Sequence, residues 1–208
     1  MWRSGSLRDN MEKALIVFVR NPDLGFVKTR IAKTAGDEQA LVIYLHLLAR
    51  TQEIASKTDA DTFVFYSKEV IPDDSWSGPR FIKEKQSKGD LGERMRAAFD
   101  VVFSKGYHKV CIVGSDCYDL TPHIIERAFE KLDRCELVAG PAKDGGYYLL
   151  GMKQPNPAVF ALKAWSTDTV LKETLAIADE LHLSYKLLGV LSDIDTEADW
   201  LAALQLNP

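Results

Sequence analysis

The sequence predicts an α/β fold: a three-layer α/β/α sandwich around a mixed, mostly parallel seven-stranded sheet. Three observations lead there. Seven short runs rich in β-branched and aromatic residues recur along the 208-residue chain, with helical periodicities in most of the gaps between them. The runs are nearly continuous in apolar residues, the pattern of strands buried on both faces. The gap around "PAKD", between the runs 135–140 and 146–151, is too short for a helical crossover, so those two strands should be antiparallel or splayed.

Residues 1–10, "MWRSGSLRDN", are polar and patternless and read as a disordered extension; residues 11–208 read as one domain, since no Pro- or Gly-rich linker divides them. The first strand is "ALIVFVR" (14–20), and "NPDLGFVKTRI" follows it. Gly25 permits an unusual backbone turn there, and Lys28, Thr29 and Arg30 bring together a point cation, a hydroxyl and a bidentate fork. That set suits an oligophosphate; its plain alternative is a solvated basic turn opening a helix. Neither the GxxxxGK[ST] spacing of a Walker loop nor the GxGxxG of a dinucleotide fold is present. Leu41, Tyr44, Leu45 and Leu48 then keep helical spacing.

The strands "DTFVFYS" (61–67) and "RFIKE" (80–84) come next, and "KQSKGDLGERM" follows the second of them. Gly89 and Gly92 bracket Asp90 and Leu91 ahead of a helix carrying Met95, Ala98, Phe99 and Val102. Glycines there let a flat ring approach the backbone beside a helix start; otherwise the stretch is a turn with Asp90 as N-cap. Arg94 and Arg96 face either phosphate or solvent.

The fourth strand, "KVCIVG" (109–114), delivers Asp116 and Asp119. Thr121 caps the next helix, Pro122 suits its first turn, and Ile125, Ala128, Phe129 and Leu132 form its apolar stripe. Asp119 is explained by the helix dipole. Asp116 is not. It stands at the carboxyl end of a strand, where open α/β sheets bind ligands, and suits a Mg²⁺ ion that also contacts substrate phosphates.

The strands "CELVAG" (135–140) and "GYYLLG" (146–151) flank "PAKDG". Adjacent glycines, Gly145 and Gly146, weaken a strand unless something approaches closely. An acceptor or sugar over them, with Asp144 on its hydroxyls, would explain the pair; the alternative is a tight turn with core aromatics. Beyond a helix marked by Leu171, Thr174, Leu175 and Ala178 and the strand "SYKLLGV" (184–190) comes "LSDIDTEADW". Thr196 and Asp199 fit a capping box. Asp193 and Asp195, on one face of an extended segment, either complete the metal site begun by Asp116 or compensate a helix dipole.

A net charge of −4 gives no general attraction to nucleic acid or to anionic membranes. No apolar run reaches membrane-spanning length, and three cysteines without finger spacing fit reduced thiols in a cytoplasm. The four histidines form no HExxH motif and keep no triad-like company.

Taken in order, "PDLGFVKTRIA", "QSKGDLGERM", "GSDCYDLT", "GPAKDGGYYLLG" and "DIDTEADW" resemble the GT-A-like nucleotide-diphospho-sugar transferase superfamily. Within it, the chain is similar to a bacterial family of uncharacterised glycosyltransferase-like proteins related to the 2-phospho-L-lactate guanylyltransferases. The resemblance implies a metal-dependent transferase with Mg²⁺ or Mn²⁺ as cofactor, a nucleotide or nucleotide-sugar donor and a small-molecule acceptor; the alternative is a non-catalytic nucleotide-binding protein that keeps the phosphate loop without turnover. It implies phosphate contacts for Lys28 and Arg30, with Gly89, Leu91 and Gly92 bordering the base. Asp116 would be the metal ligand with Asp195 as its second, and Asp144 and Gly145 would meet the acceptor or sugar. The DxD triplet of the glycosyltransferases is replaced by Ser115-Asp116-Cys117, so both donors, NDP-sugar and NTP, are compatible.

Overall fold

Parallel strands need long crossovers, and the chain supplies one between most of its strands. The computed structural model describes residues 12–161, 164, 165 and 167–206; the extension expected at 1–10 lies outside the described residues. The strands are β1 (Lys13–Val19), β2 (Asp61–Tyr66), β3 (Phe81–Lys85), β4 (Lys109–Val113), β5 (Leu137–Pro141), β6 (Tyr147–Met152) and β7 (Tyr185–Leu187), in the spatial order β3-β2-β1-β4-β6-β5-β7. β6 runs antiparallel to both β4 and β5, and every other pair is parallel. The short connection at "PAKD" does make the sheet mixed.

The helices are α1 (Thr29–Ala35), α2 (Asp37–Lys57), α3 (Leu91–Ser104), α4 (Pro122–Leu132), α5 (Val170–Glu180) and α6 (Glu197–Leu206), with a 3₁₀ turn at Pro157–Phe160. One core, on one face of the sheet, joins Leu15, Val17 and Val64 to Ile54 of α2 and to Ile125 and Phe129 of α4. The other face packs Ile16, Phe63 and Ile112 against Met95, Phe99 and Val102 of α3. Alternate residues of β1 and β2 therefore serve opposite layers, which is why these strands must be apolar throughout. α1, α2 and α6 enclose a third cluster around Ile31, Ile43, Leu47 and Trp200.

The expected apolar stripes of α3 and α4 are buried as read, and Asp90 and Thr121 cap them. The face of α2 is shifted. Ala40, Ile43, Tyr44 and Leu47 are buried, whereas Leu45 is exposed. From Ala40 to Leu48 this helix is apolar almost all round, so spacing alone does not select a side. No described helix is long and apolar enough to cross a membrane.

Candidate functional site

The carboxyl ends of β1, β2 and β4 lie at one edge of the sheet, and a cleft of about 820 Å³ opens above them. Parallel pairing of β1 with β4, Val17 opposite Val113, brings Arg20 and Asn21 beside Gly114, Ser115 and Asp116. Thr29, Leu91, Asp144 and Gly146 line the same cleft, as do Lys28, Arg30, Asp193 and Asp195. Residues as far apart in sequence as Arg20 and Asp195 thus converge on one space.

Lys28 is the N-cap of α1 and adopts the left-handed conformation, φ 47°, which a residue with a Cβ seldom takes. Its ammonium is almost fully buried. It forms an ion pair with the half-exposed Asp116 carboxylate and donates to the Ile194 carbonyl at 2.7 Å. The Ile194 N–H in turn donates to the Asp116 carbonyl at 2.9 Å, tying the segment 193–195 to the end of β4. Arg30 Nη1 pairs with Asp195 Oδ2 at 3.0 Å, both side chains being open to solvent. Asp195, assigned from the sequence as a second metal ligand, is therefore directed at Arg30. Asp199 accepts from the N–H groups of Asp195 and Thr196 and from the Thr196 hydroxyl, the structural role its capping-box position implies.

Asp193 carries the altered acidity of the site. Burial, then the charges of Asp116 and Asp144, push its carboxyl up to about 7, against a smaller opposing pull from Lys28. Among the described residues, no three acidic, histidine or cysteine side chains converge as they stand on a ready-made metal site. The chemistry of the donors still fits a hard divalent ion, which commonly takes one or two carboxylates and completes its shell with phosphate oxygens and water. Asp116 and Asp193 would be the carboxylates to hold one, and a cation between them would relieve the repulsion that raises the Asp193 carboxyl.

Asp144 accepts from the Gly146 N–H at 2.9 Å and lines the cleft. Gly145 corrects an expectation. It sits at φ 89°, and a Cβ there would meet the Asp168 carbonyl oxygen at 2.0 Å. The close approach at Gly145 is made by the chain itself, and Gly146 is the one of the pair that borders the cleft. Gly89 and Gly92 are likewise occupied. A Cβ on Gly89 would meet the Glu93 side chain, which caps α3 by accepting from the Asp90 N–H, and one on Gly92 would strike the Trp165 indole at 2.2 Å. Leu91 alone of these three lines the cleft.

Three residues of the cleft receive no functional role from the sequence. The Tyr44 hydroxyl, read only as part of a helical stripe, accepts from the Arg20 N–H at 2.8 Å and donates to the Arg20 carbonyl at 2.9 Å. Burial pushes it up to about 12, so it stays a donor. Gln86 is buried beneath the ends of β1 and β2, and its amide holds Arg94. Arg20 itself closes the first predicted strand. All three depend on contacts between distant segments, which spacing does not encode.

A family model described as "Uncharacterized protein conserved in bacteria (DUF2064)" matches residues 49–167. A structure from Desulfovibrio desulfuricans G20, provisionally named a nucleotide-diphospho-sugar transferase, is 30% identical, with 94% of this chain and 87% of that one covered and a TM-score of 0.85. The 4-diphosphocytidyl-2C-methyl-D-erythritol synthase of Anaerococcus prevotii DSM 20548 is 11% identical over 95% and 96% of the two chains, with a TM-score of 0.60. Rv0371c of Mycobacterium tuberculosis H37Rv, in complex with manganese, is 14% identical over 93% and 98%, with a TM-score of 0.55. The last two are likenesses of fold alone. Among curated proteins, none matches the sequence. By its matched family model, its 30% identical relative and its mixed seven-stranded sheet, the chain belongs to the DUF2064 family and has the fold of the nucleotide-diphospho-sugar transferases.

Proposed function

We propose that this protein is a metal-assisted transferase that takes a nucleotide donor, an NDP-sugar or an NTP, and passes its glycosyl or nucleotidyl group to a small acceptor. The observation that carries this reading is the buried Lys28 ammonium clasped by Asp116 and Ile194, at the strand edge where the acids and Arg30 also face the cleft. The names of its relative from Desulfovibrio desulfuricans and of its fold neighbours, a synthase of a cytidine-diphosphate product among them, support it.

In either transfer, negative charge grows on the oxygens of the leaving phosphate, and fixed cations lower that cost. Lys28 provides a buried point charge whose position is set by two partners, so little reorganisation accompanies the reaction. Arg30 provides a planar fork, oriented by Asp195, for two phosphate oxygens at once. A divalent cation held by Asp116 and Asp193 would add Lewis-acid charge at the same phosphate. Asp144, which also lines the cleft, accepts hydrogen bonds from hydroxyls of the sugar or acceptor. Tyr147 and Trp165 form apolar walls that exclude water and strengthen these interactions.

The test is a thermal-shift screen of nucleoside triphosphates and NDP-sugars with Mg²⁺, with Mn²⁺ and with chelator. Stabilisation by nucleotides that requires the divalent ion supports the reading, and the release of pyrophosphate or of NDP then identifies which bond is broken. Failure of every nucleotide to stabilise the protein would refute it.

A further inference from the structure

Five cationic side chains line the cleft: Arg20, Lys28, Arg30, Lys68 and Arg94. Three are already neutralised, Lys28 by Asp116, Arg30 by Asp195 and Lys68 by Asp23. Among the described residues, Arg20 and Arg94 have no carboxylate ion pair. These two, one of them absent from every motif in the sequence, hold the cleft's uncompensated positive charge.

Both are built in. Arg94 donates from Nη1 to Gln86 Oε1 at 2.8 Å and from Nε to the Asp90 carbonyl at 3.2 Å. Gln86 is buried, and its amide nitrogen is spent on the carbonyls of Val19 at 3.2 Å and Phe65 at 2.9 Å, so it cannot turn away. Arg94 is thereby fixed by the ends of β1 and β2, with Nη2 left over for a ligand. The backbone of Arg20 is fixed on both sides by the buried Tyr44 hydroxyl. The Asp90 carboxylate lies within electrostatic reach of Arg94, but it is engaged as the cap of α3, accepting from the Glu93 N–H at 2.9 Å. Burial and the charge of Arg20 both disfavour the Arg94 cation. Two guanidinium groups that line one cleft without a carboxylate partner suit an anion, because the ligand offsets their like charge as well as adding hydrogen bonds.

We infer that Arg20 and Arg94 form an oxyanion subsite, distinct from the loop of Lys28 and Arg30, that takes a phosphoryl or carboxylate group of a substrate. It deepens the transferase reading by making the molecule at this end of the cleft anionic. It rests on anion binding alone, so it can be tested even if no nucleotide binds.

Inorganic phosphate is titrated calorimetrically into the wild type, Arg20→Gln, Arg94→Gln, Arg94→Lys and Lys33→Gln. Lys33, on α1, is a control for net charge. Affinity should fall about tenfold or more in each glutamine variant of the two arginines, less in Arg94→Lys, and within twofold of wild type in Lys33→Gln. An arginine with a merely structural role would lower Tm in its glutamine variant and leave the phosphate Kd unchanged. The proposal is overturned if the wild type binds no phosphate, if both arginine-to-glutamine variants bind it normally, or if Lys33→Gln weakens it equally. Repeating the titration in saturating nucleoside triphosphate separates the sources. Retained phosphate binding assigns the subsite to the second substrate, and displacement assigns it to the nucleotide's own phosphates; either supports the subsite.

Discussion

Replacing Asp193 with Asn removes a carboxylate whose ionisation the folded protein resists. Burial and the charges of Asp116 and Asp144 raise its pKa from 3.8 to about 7. The unfolded chain therefore gives up this proton first, so the group lowers stability progressively as pH rises from about 4 to about 7, and by a constant amount above that. The shift corresponds to about 4 kcal/mol of destabilisation at pH 8 and about 1.5 kcal/mol at pH 5. The solvent contact that Asp193 keeps moves both figures down, leaving a difference of about 2 kcal/mol between the two conditions. Asn has no such ionisation. Asp193→Asn should thus gain on the wild type by about 2 kcal/mol between pH 5 and pH 8, or about 4–8 °C in Tm for a chain of this size. Urea unfolding of both proteins at the two pH values, in chelator, measures the gap. Manganese added at pH 8 should then stabilise the wild type more than the variant. An advantage of Asp193→Asn that is absent, or the same at pH 5 and pH 8, would show that Asp193 ionises in the folded protein as easily as in the unfolded chain.

Arg30→Lys keeps the charge but loses the fork, so calorimetry should show nucleoside triphosphate binding weakened by about 1 kcal/mol with nucleoside binding unchanged. Gly145→Val places a β-branched residue at φ 89° against the Asp168 carbonyl, and should destabilise the protein by more than about 3 kcal/mol in chemical denaturation. A wild-type unfolding midpoint would show that this turn tolerates a side chain. Gly92→Ala forces the Trp165 indole off α3, and should shift tryptophan emission towards longer wavelength; identical spectra would contradict that packing.

Periodic elements were legible because their burial is enforced residue by residue. Met95, Ala98, Phe99 and Val102 leave one helical face available to the core, and the continuous apolar strands admit only a two-sided sheet. The convergence of Lys28 with Asp116 was also within reach, since parallel strands deliver their following loops to one edge. What the local pattern lacked was direction. Asp193 and Asp195 are equivalent by alternation, and only the bond from Ile194 to Asp116 determines which acid meets Arg30. Gly145 looked open because its neighbour, Asp168, is 23 positions away. Gln86 and Tyr44 look like ordinary loop and helix residues until β1 and β2 are assembled above them.

On the proposed reading, this cleft holds a nucleotide by its phosphates together with a divalent ion at Asp116. Titrating a nucleoside triphosphate into the wild type and Asp116→Asn, each with and without Mn²⁺, tests it most directly. Mn²⁺ should tighten wild-type binding by about tenfold or more, and Asp116→Asn should lose that increment while remaining folded. An equal response to Mn²⁺ in the two proteins, or none in the wild type, would contradict the account.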